Sequence, residues 1–274
     1  MTTSRPYLDS PVPLAIAHRG YSPEGLENTI PAFRAALGLG YQYLETDINT
    51  TSDGVTLVFH DPTLERVTDG RGTIAELPYA VVRQARVGGL EPISTLRELF
   101  EALPGANFNI DVKDSRSASN LAALIEEFAL HDRVCVASFS GRRRRDVLRR
   151  LGRPVASSPG KKLLAAYFAL QGWMPAPVLR ALVRNVDVLQ VPPRYKAREL
   201  VTRRSVAKAH RLGLKVHVWT INDPAQMHRL FDLGVDGIMT DRGDVLAGVM
   251  RERGYWPAAG NPAPPPAGAP APTA

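Results

Sequence analysis

The chain has a single cysteine, Cys135, among its 274 residues. One cysteine forms no internal disulfide, which excludes the disulfide-stapled secreted scaffolds and is compatible with a reducing cytosol. Cys135 lies in the apolar run 134–139 and is expected to be buried in a strand. No run approaches the ~18 apolar residues of a membrane span. The N-terminus also lacks a charged stretch followed by a long apolar one. The protein is therefore expected to be soluble, uncleaved and cytoplasmic. No Cys/His spacing suggests zinc. Aromatic residues make up only 7% and are not interleaved with Arg and Lys. No RNA- or DNA-binding motif is present, so the net charge of +7 does not point to nucleic acid. It suits an anionic substrate, an anionic surface, or neither.

What is present is a globular composition, 44% hydrophobic, in a chain long enough for one sizeable core. Apolar or alternating runs at 13–17, 41–50, 107–113, 133–139, 155–157, 186–191, 215–221 and 236–240 read as strands. Helical patterns separate most of them, with Thr29 capping the first and Pro31 suiting its first turn. Segment 62–92, rich in Gly, Thr and Pro, reads as an insertion after the second strand. An α/β chain of about eight strand–helix units argues a (β/α)8 TIM barrel over a doubly wound sheet. Residues 1–12 read as a loose lead-in, 13–254 as the barrel and 255–274, almost all Ala, Pro and Gly, as a disordered tail.

The segment 16–61 concentrates the chemistry. His18 and His60 sit at or near strand ends, where a barrel presents reactive side chains. Glu45 and Asp47 are two apart on a strand, so they share a face at roughly 6–7 Å along it. Two acids that close repel unless something positive lies between them, and a hard divalent cation answers that need. Asp111, on the third strand, would bring a third carboxylate to the same mouth, with Lys113 pointing the same way. An imidazole titrates near neutral pH, so one histidine can take a proton while the other gives one. Arg19 and Lys113 would grip an anionic phosphate. Read from residues, the chemistry is metal-assisted phosphodiester cleavage.

The chain resembles the glycerophosphodiester phosphodiesterase family. The resemblance rests on AHRG (17–20), ENT (27–29), LETDI (44–48), VFHD (58–61), the IDVK strand (110–113), VWTIN (218–222) and GIMTD (237–241), and it spans roughly 13–250. It implies hydrolysis of glycerophosphodiesters to sn-glycerol 3-phosphate and an alcohol. It further implies His18 and His60 as the acid/base pair and Glu45, Asp47 and Asp111 as ligands of one divalent ion, Mg²⁺ or Ca²⁺, with Mn²⁺ also in range. Arg19 and Lys113 would bind phosphate, Glu27 would support the site entrance, and Trp219 would line the pocket wall. The family commonly has Glu where this chain has Asp111, one methylene shorter. Activity is expected to survive that change, with metal preference left open.

The substrate is thus a small glycerophosphodiester or, as the alternative, a lysophospholipid cleaved at the same site in lysophospholipase D fashion. Two features bear on the alternative. The apolar segment 163–174 is expected either to pack or to form an acyl-accepting lip, and the basic run 142–145 is expected to be a solvated helix face. A non-catalytic phosphate-binding barrel would predict a missing catalytic group, and none is missing.

Overall fold

A computed structural model describes residues 5–256. Eight parallel strands carry the architecture: β1 (Leu14–His18), β2 (Tyr43–Thr50), β3 (Asn107–Val112), β4 (Val134–Ala137), β5 (Ala156–Ser157), β6 (Val188–Val191), β7 (Lys215–Val218) and β8 (Gly237–Thr240). They lie side by side in sequence order, and β8 pairs back onto β1 with Leu14 opposite Gly237. Between β5 and β6 no ladder forms; Asp187 closes the seam, its N–H donating to Ser157 O at 3.1 Å and its Oδ2 accepting from Ser157 N–H at 3.0 Å. The result is the nearly closed barrel expected from the strand–helix alternation.

Alternation along the strands divides the side chains between two buried surfaces. On β2 and β3, Leu44, Ile48, Phe108, Ile110 and Val112 face outward and join the core shared with the helices. The intervening residues Tyr43, Glu45, Asp47, Asn109 and Asp111 face the barrel interior. Helix α1 (Ile30–Gly38) begins as expected: Thr29 Oγ1 accepts from Ala32 N–H, and proline occupies its first turn. Helix α2 (Leu96–Ala102) opens with a capping box between Thr95 and Glu98.

Three expectations shift. Residues 6–8, read as part of a loose lead-in, form a 3-10 turn that plugs the barrel floor; Tyr7 and Leu8 are buried, and Tyr7 packs edge-on to Tyr43 at 5.2 Å. Tyr255 and Trp256, assigned to the tail, are ordered against the core, with Trp256 edge-on to Tyr41. Residues 257–274 lie outside the described residues. The helix expected over 199–212 is shorter, Arg203–Arg211, because Thr202 and Ser205 form its capping box while Glu199 pairs with Arg194 in a small hairpin. The insertion 62–92 packs a satellite core of its own, in which Leu64, Ile74, Val82, Ala85 and Val87 close on Leu57, Phe59 and Ile93. Among the described residues no helix is long and apolar enough to cross a membrane.

His217, on β7, is fully buried in the barrel with both ring nitrogens lacking a protein partner. Burial pushes its imidazole down to about 4; Asp236 opposes that and Lys215 adds to it. The sign follows from proton binding. Above the unfolded value near 6.5 neither state is charged. Between there and about 4 the unfolded chain binds a proton that the native state refuses. Stability should therefore fall as pH drops through this window, by at most about 3 kcal/mol from this residue. Urea unfolding of His217→Gln across the same window should show a shallower acid slope; a slope identical to the parent would contradict the assignment.

Candidate active site

His18 ends β1, and the chain then turns sharply. Arg19 adopts a left-handed conformation at φ 57, which an L-residue holds only against a steric cost. Its N–H donates to Glu45 O at 3.0 Å, tying the turn to β2. Gly20 follows at φ 86, and a Cβ there would stand 2.8 Å from the carbonyl carbon of Ala32, so only glycine lets helix α1 approach. The next triplet is equally specific. Glu27 Oε1 accepts from Arg19 Nη1 at 2.8 Å, Asn28 Oδ1 accepts from Thr46 Oγ1 at 2.7 Å, and Thr29 caps α1. One loop thus aims Arg19, staples itself to β2 and starts the helix.

The histidines are oriented by carboxylates. His18 Nδ1 lies 2.6 Å from Asp241 Oδ1, just past β8, and its Nε2 lies 3.7 Å from Glu45 Oε2. Asn222 fixes Asp241 from both sides, donating to Oδ2 and accepting the Asp241 N–H, each at 2.9 Å. His60 Nδ1 lies 2.5 Å from Asp61 Oδ1. An ionised carboxylate only accepts, so each Nδ1 carries the proton and each Nε2 is left for other work. Asn49, on the same face of β2 as the two acids, donates to the carbonyls of Phe59, His60 and Asp61 and holds the second histidine turn in place. Burial alone would lower the pKa of His18; Glu45 and Asp241 outweigh it and raise it.

Glu45, Asp47 and Asp111 line one wall of the interior, Asp47 and Asp111 being register partners. All three are buried. Burial, then Asp47, pushes Glu45 up to about 8. Burial would also raise Asp47, but Lys113 and Arg19 overcome it and hold this acid low. At Asp111 burial, joined by the Asp47 charge, outweighs Lys113 and His60, and its pKa rises. Lys113 Nζ sits between the pair, 2.8 Å from Asp47 Oδ1 and 2.7 Å from Asp111 Oδ2. Arg19 Nε is 3.2 Å from Asp47 Oδ2.

Among the described residues no three His, Cys, Asp or Glu side chains gather closely enough to hold a metal ion, so the expected convergence of three acids is a shared wall and not a closed cage. The donor chemistry nonetheless fits a hard divalent cation. Asp111 Oδ1 is buried without a hydrogen-bond partner, and burial with the Asp47 charge outweighs His18 and Arg19 at Glu45.

Trp219 stands past β7 and meets Phe139 edge-on, with centroids 6.0 Å apart; Lys113 Nζ lies 5.6 Å from the Phe139 centroid. Phe139, 55% exposed, follows β4 and therefore belongs to the barrel mouth. Segment 163–174, expected either to pack or to form a lip, mostly packs: Tyr167 and Phe168 are buried, and of its aromatic residues only Trp173 is exposed. Nor is the basic run simply solvated. Arg143 donates to the carbonyls of Val112 and Lys113, and Arg144, 4% exposed, donates to Ser157 Oγ and Asn185 O. Backbone carbonyls at the end of β3 and in the turn before β6 draw the two guanidinium groups inward.

The fold and this wall of acids, cations and carboxylate-bound histidines define a TIM-barrel enzyme of the phosphoester-cleaving kind. The profile of the glycerophosphoryl diester phosphodiesterase family matches residues 18–245, and the chain belongs to that family. A Mycobacterium tuberculosis protein named probable glycerophosphodiester phosphodiesterase 2 is 38% identical over 244 residues, 89% of this chain and 92% of its own. A Homo sapiens protein named lysophospholipase D GDPD1 is 26% identical over 260 residues, covering 82% of each. The fold matches that of an Oleispira antarctica phosphodiesterase solved with the product sn-glycerol-3-phosphate, with a TM-score of 0.71, 24% identity and coverage of 88% of this chain and 97% of that one.

Removing Lys113 should expose how much of the site depends on it. Lys113→Met leaves Asp47 and Asp111 buried with one cation fewer, a change expected to cost about 3 kcal/mol at neutral pH. Chemical denaturation would measure it. A variant as stable as the parent would show that the pair carries no net buried charge.

Proposed function

We propose that the protein is a metal-dependent phosphodiesterase that hydrolyses glycerophosphodiesters to sn-glycerol 3-phosphate and an alcohol. The observation that carries this reading is the pair of histidines, each bound through Nδ1 to a carboxylate, beside a buried wall of three acids and two cations. A fixed Nδ1–H leaves Nε2 of one imidazole to take the proton of the attacking oxygen, while Nε2–H of the other protonates the leaving alkoxide. Arg19 and Lys113 offer the phosphate a planar fork and a point charge. Glu27, bonded to Arg19, keeps the fork turned toward the site, and Trp219 with Phe139 supplies an apolar wall against the organic part of the substrate.

Glu45, Asp47 and Asp111 are the residues that would hold a divalent ion, which when bound supplies Lewis-acid stabilisation of charge on the phosphoryl oxygens. Oxygen-only donors favour Mg²⁺, Ca²⁺ or Mn²⁺. Cytoplasmic placement belongs to the same reading, supported by a lone buried cysteine.

A second reading, hydrolysis of lysophospholipids at the same site with peripheral contact to an anionic membrane, has its own support. Phe139 is exposed beside Trp219, and Tyr195, 56% exposed, sits between Arg194 and Lys196 on the hairpin after β6. The lysophospholipase D name of the human relative points the same way.

His18→Ala and His60→Ala should each lower kcat by about 10²–10⁴-fold while circular dichroism shows an intact fold. Near-parental turnover in either variant would sink the acid/base assignment. Parallel assays on glycerophosphocholine and lysophosphatidylcholine decide between the two readings: preference for the first upholds the primary one, preference for the second replaces it.

A further inference from the structure

Arg66 lies in the insertion 62–92, outside every strand and helix of the barrel, yet it reaches both loops that carry the reacting groups. Its Nη2 donates to Glu27 Oε1 at 2.6 Å, its Nη1 to Glu27 Oε2 at 3.0 Å, and its Nε to Asp61 Oδ2. Glu27 Oε1 also accepts from Arg19 Nη1, and Asp61 Oδ1 receives His60 Nδ1. A continuous chain of hydrogen bonds therefore runs from His60 through Asp61, Arg66 and Glu27 to Arg19. Arg66 is half-exposed, but the two acids it holds are largely covered, with side chains 24% and 18% exposed. An isolated surface ion pair between flexible side chains would contribute little. Here three N–H groups of one planar fork are engaged at once on two different loops, a task that suits guanidinium and that an ammonium cannot match.

We propose that Arg66 is a positioning residue: through Asp61 it fixes the Nδ1-protonated orientation of His60, and through Glu27 it fixes the reach of Arg19. The insertion then serves as the brace that locks a proton-transfer group and a phosphate-binding group in one register. Carboxylate partners left unbraced would rotate, letting His60 exchange tautomers and Arg19 swing away. The roles assigned to those two side chains rest on the hydrolytic reading above, whereas the bracing itself does not.

Arg66→Met and Arg66→Lys in the full-length protein test it with two independent readouts. The first is kcat and KM on glycerophosphocholine; the second is the pair of ¹⁵N shifts of the His60 ring, recorded at one fixed pH. Arg66→Met is expected to lower kcat by about 10- to 100-fold, to raise KM, and to move the His60 nitrogens from a single Nδ1-protonated form toward a tautomer mixture. Arg66→Lys should keep part of the activity and an intermediate spectrum. A kcat within twofold of the parent with unmoved His60 signals overturns the proposal and leaves an ordinary surface ion pair. Activity lost together with the fold, or lost with His60 signals unchanged, overturns it too. If the parent protein fails to hydrolyse any glycerophosphodiester, the functional reading falls while the ring spectra still decide the role of Arg66.

Discussion

Three carboxylates inside a barrel would be untenable without compensating charge, and the structure turns on how Lys113 and Arg19 supply it. Lys113 bridges Asp47 and Asp111, and Arg19 adds a second contact to Asp47. The division is unequal, and its consequences are visible acid by acid. Asp47, with two cations, is held low, whereas burial and the Asp47 charge raise both Asp111, despite Lys113, and Glu45, despite His18 and Arg19. A buried ion pair is seldom a source of net stability, because desolvation offsets most of the Coulomb gain. The arrangement is better understood as a wall kept short of positive charge, ready for a divalent ion and an anionic ester.

The surrounding structure holds that wall in place. The left-handed Arg19, the glycine after it and the Glu27–Asn28–Thr29 triplet turn the chain so that Arg19 faces β2. Asn49 reaches across to three successive carbonyls and holds the turn bearing His60. Below, the aromatic plug of Tyr7 against Tyr43 closes the floor. Rigid elements beneath and the Arg66 contacts above leave the histidines little freedom, which the proposed proton transfer would need.

Much of this was legible in the sequence because the signals are local. Period-two alternation on β2 and β3 places Glu45, Asp47 and Asp111 on the inner face, and Thr29 with Pro31 marks a helix start. The groups that orient the histidines were harder to see. Asp241 meets His18 across 223 residues of chain, and only barrel closure brings β8 beside β1. Asn222 and Arg66 work through contacts between loops, which no periodicity encodes. Arg143 and Arg144 look like a solvated run because composition says nothing about which strand-end carbonyls need donors. The opening residues mislead for a related reason: Tyr7 is one aromatic in a polar stretch, and its burial depends on an open barrel floor that the sequence does not display.

We propose Glu45, Asp47 and Asp111 as the seat of a divalent cation within a phosphate-binding site. Thermal unfolding of chelator-treated protein, titrated with Mg²⁺ or Ca²⁺ with and without glycerol 3-phosphate, addresses it most directly, since a ligand that binds only the native state raises Tm with its concentration. A saturable rise is expected for the parent protein, larger with glycerol 3-phosphate present, and none in Asp47→Asn. A parent protein whose Tm is unmoved by millimolar cation would contradict it.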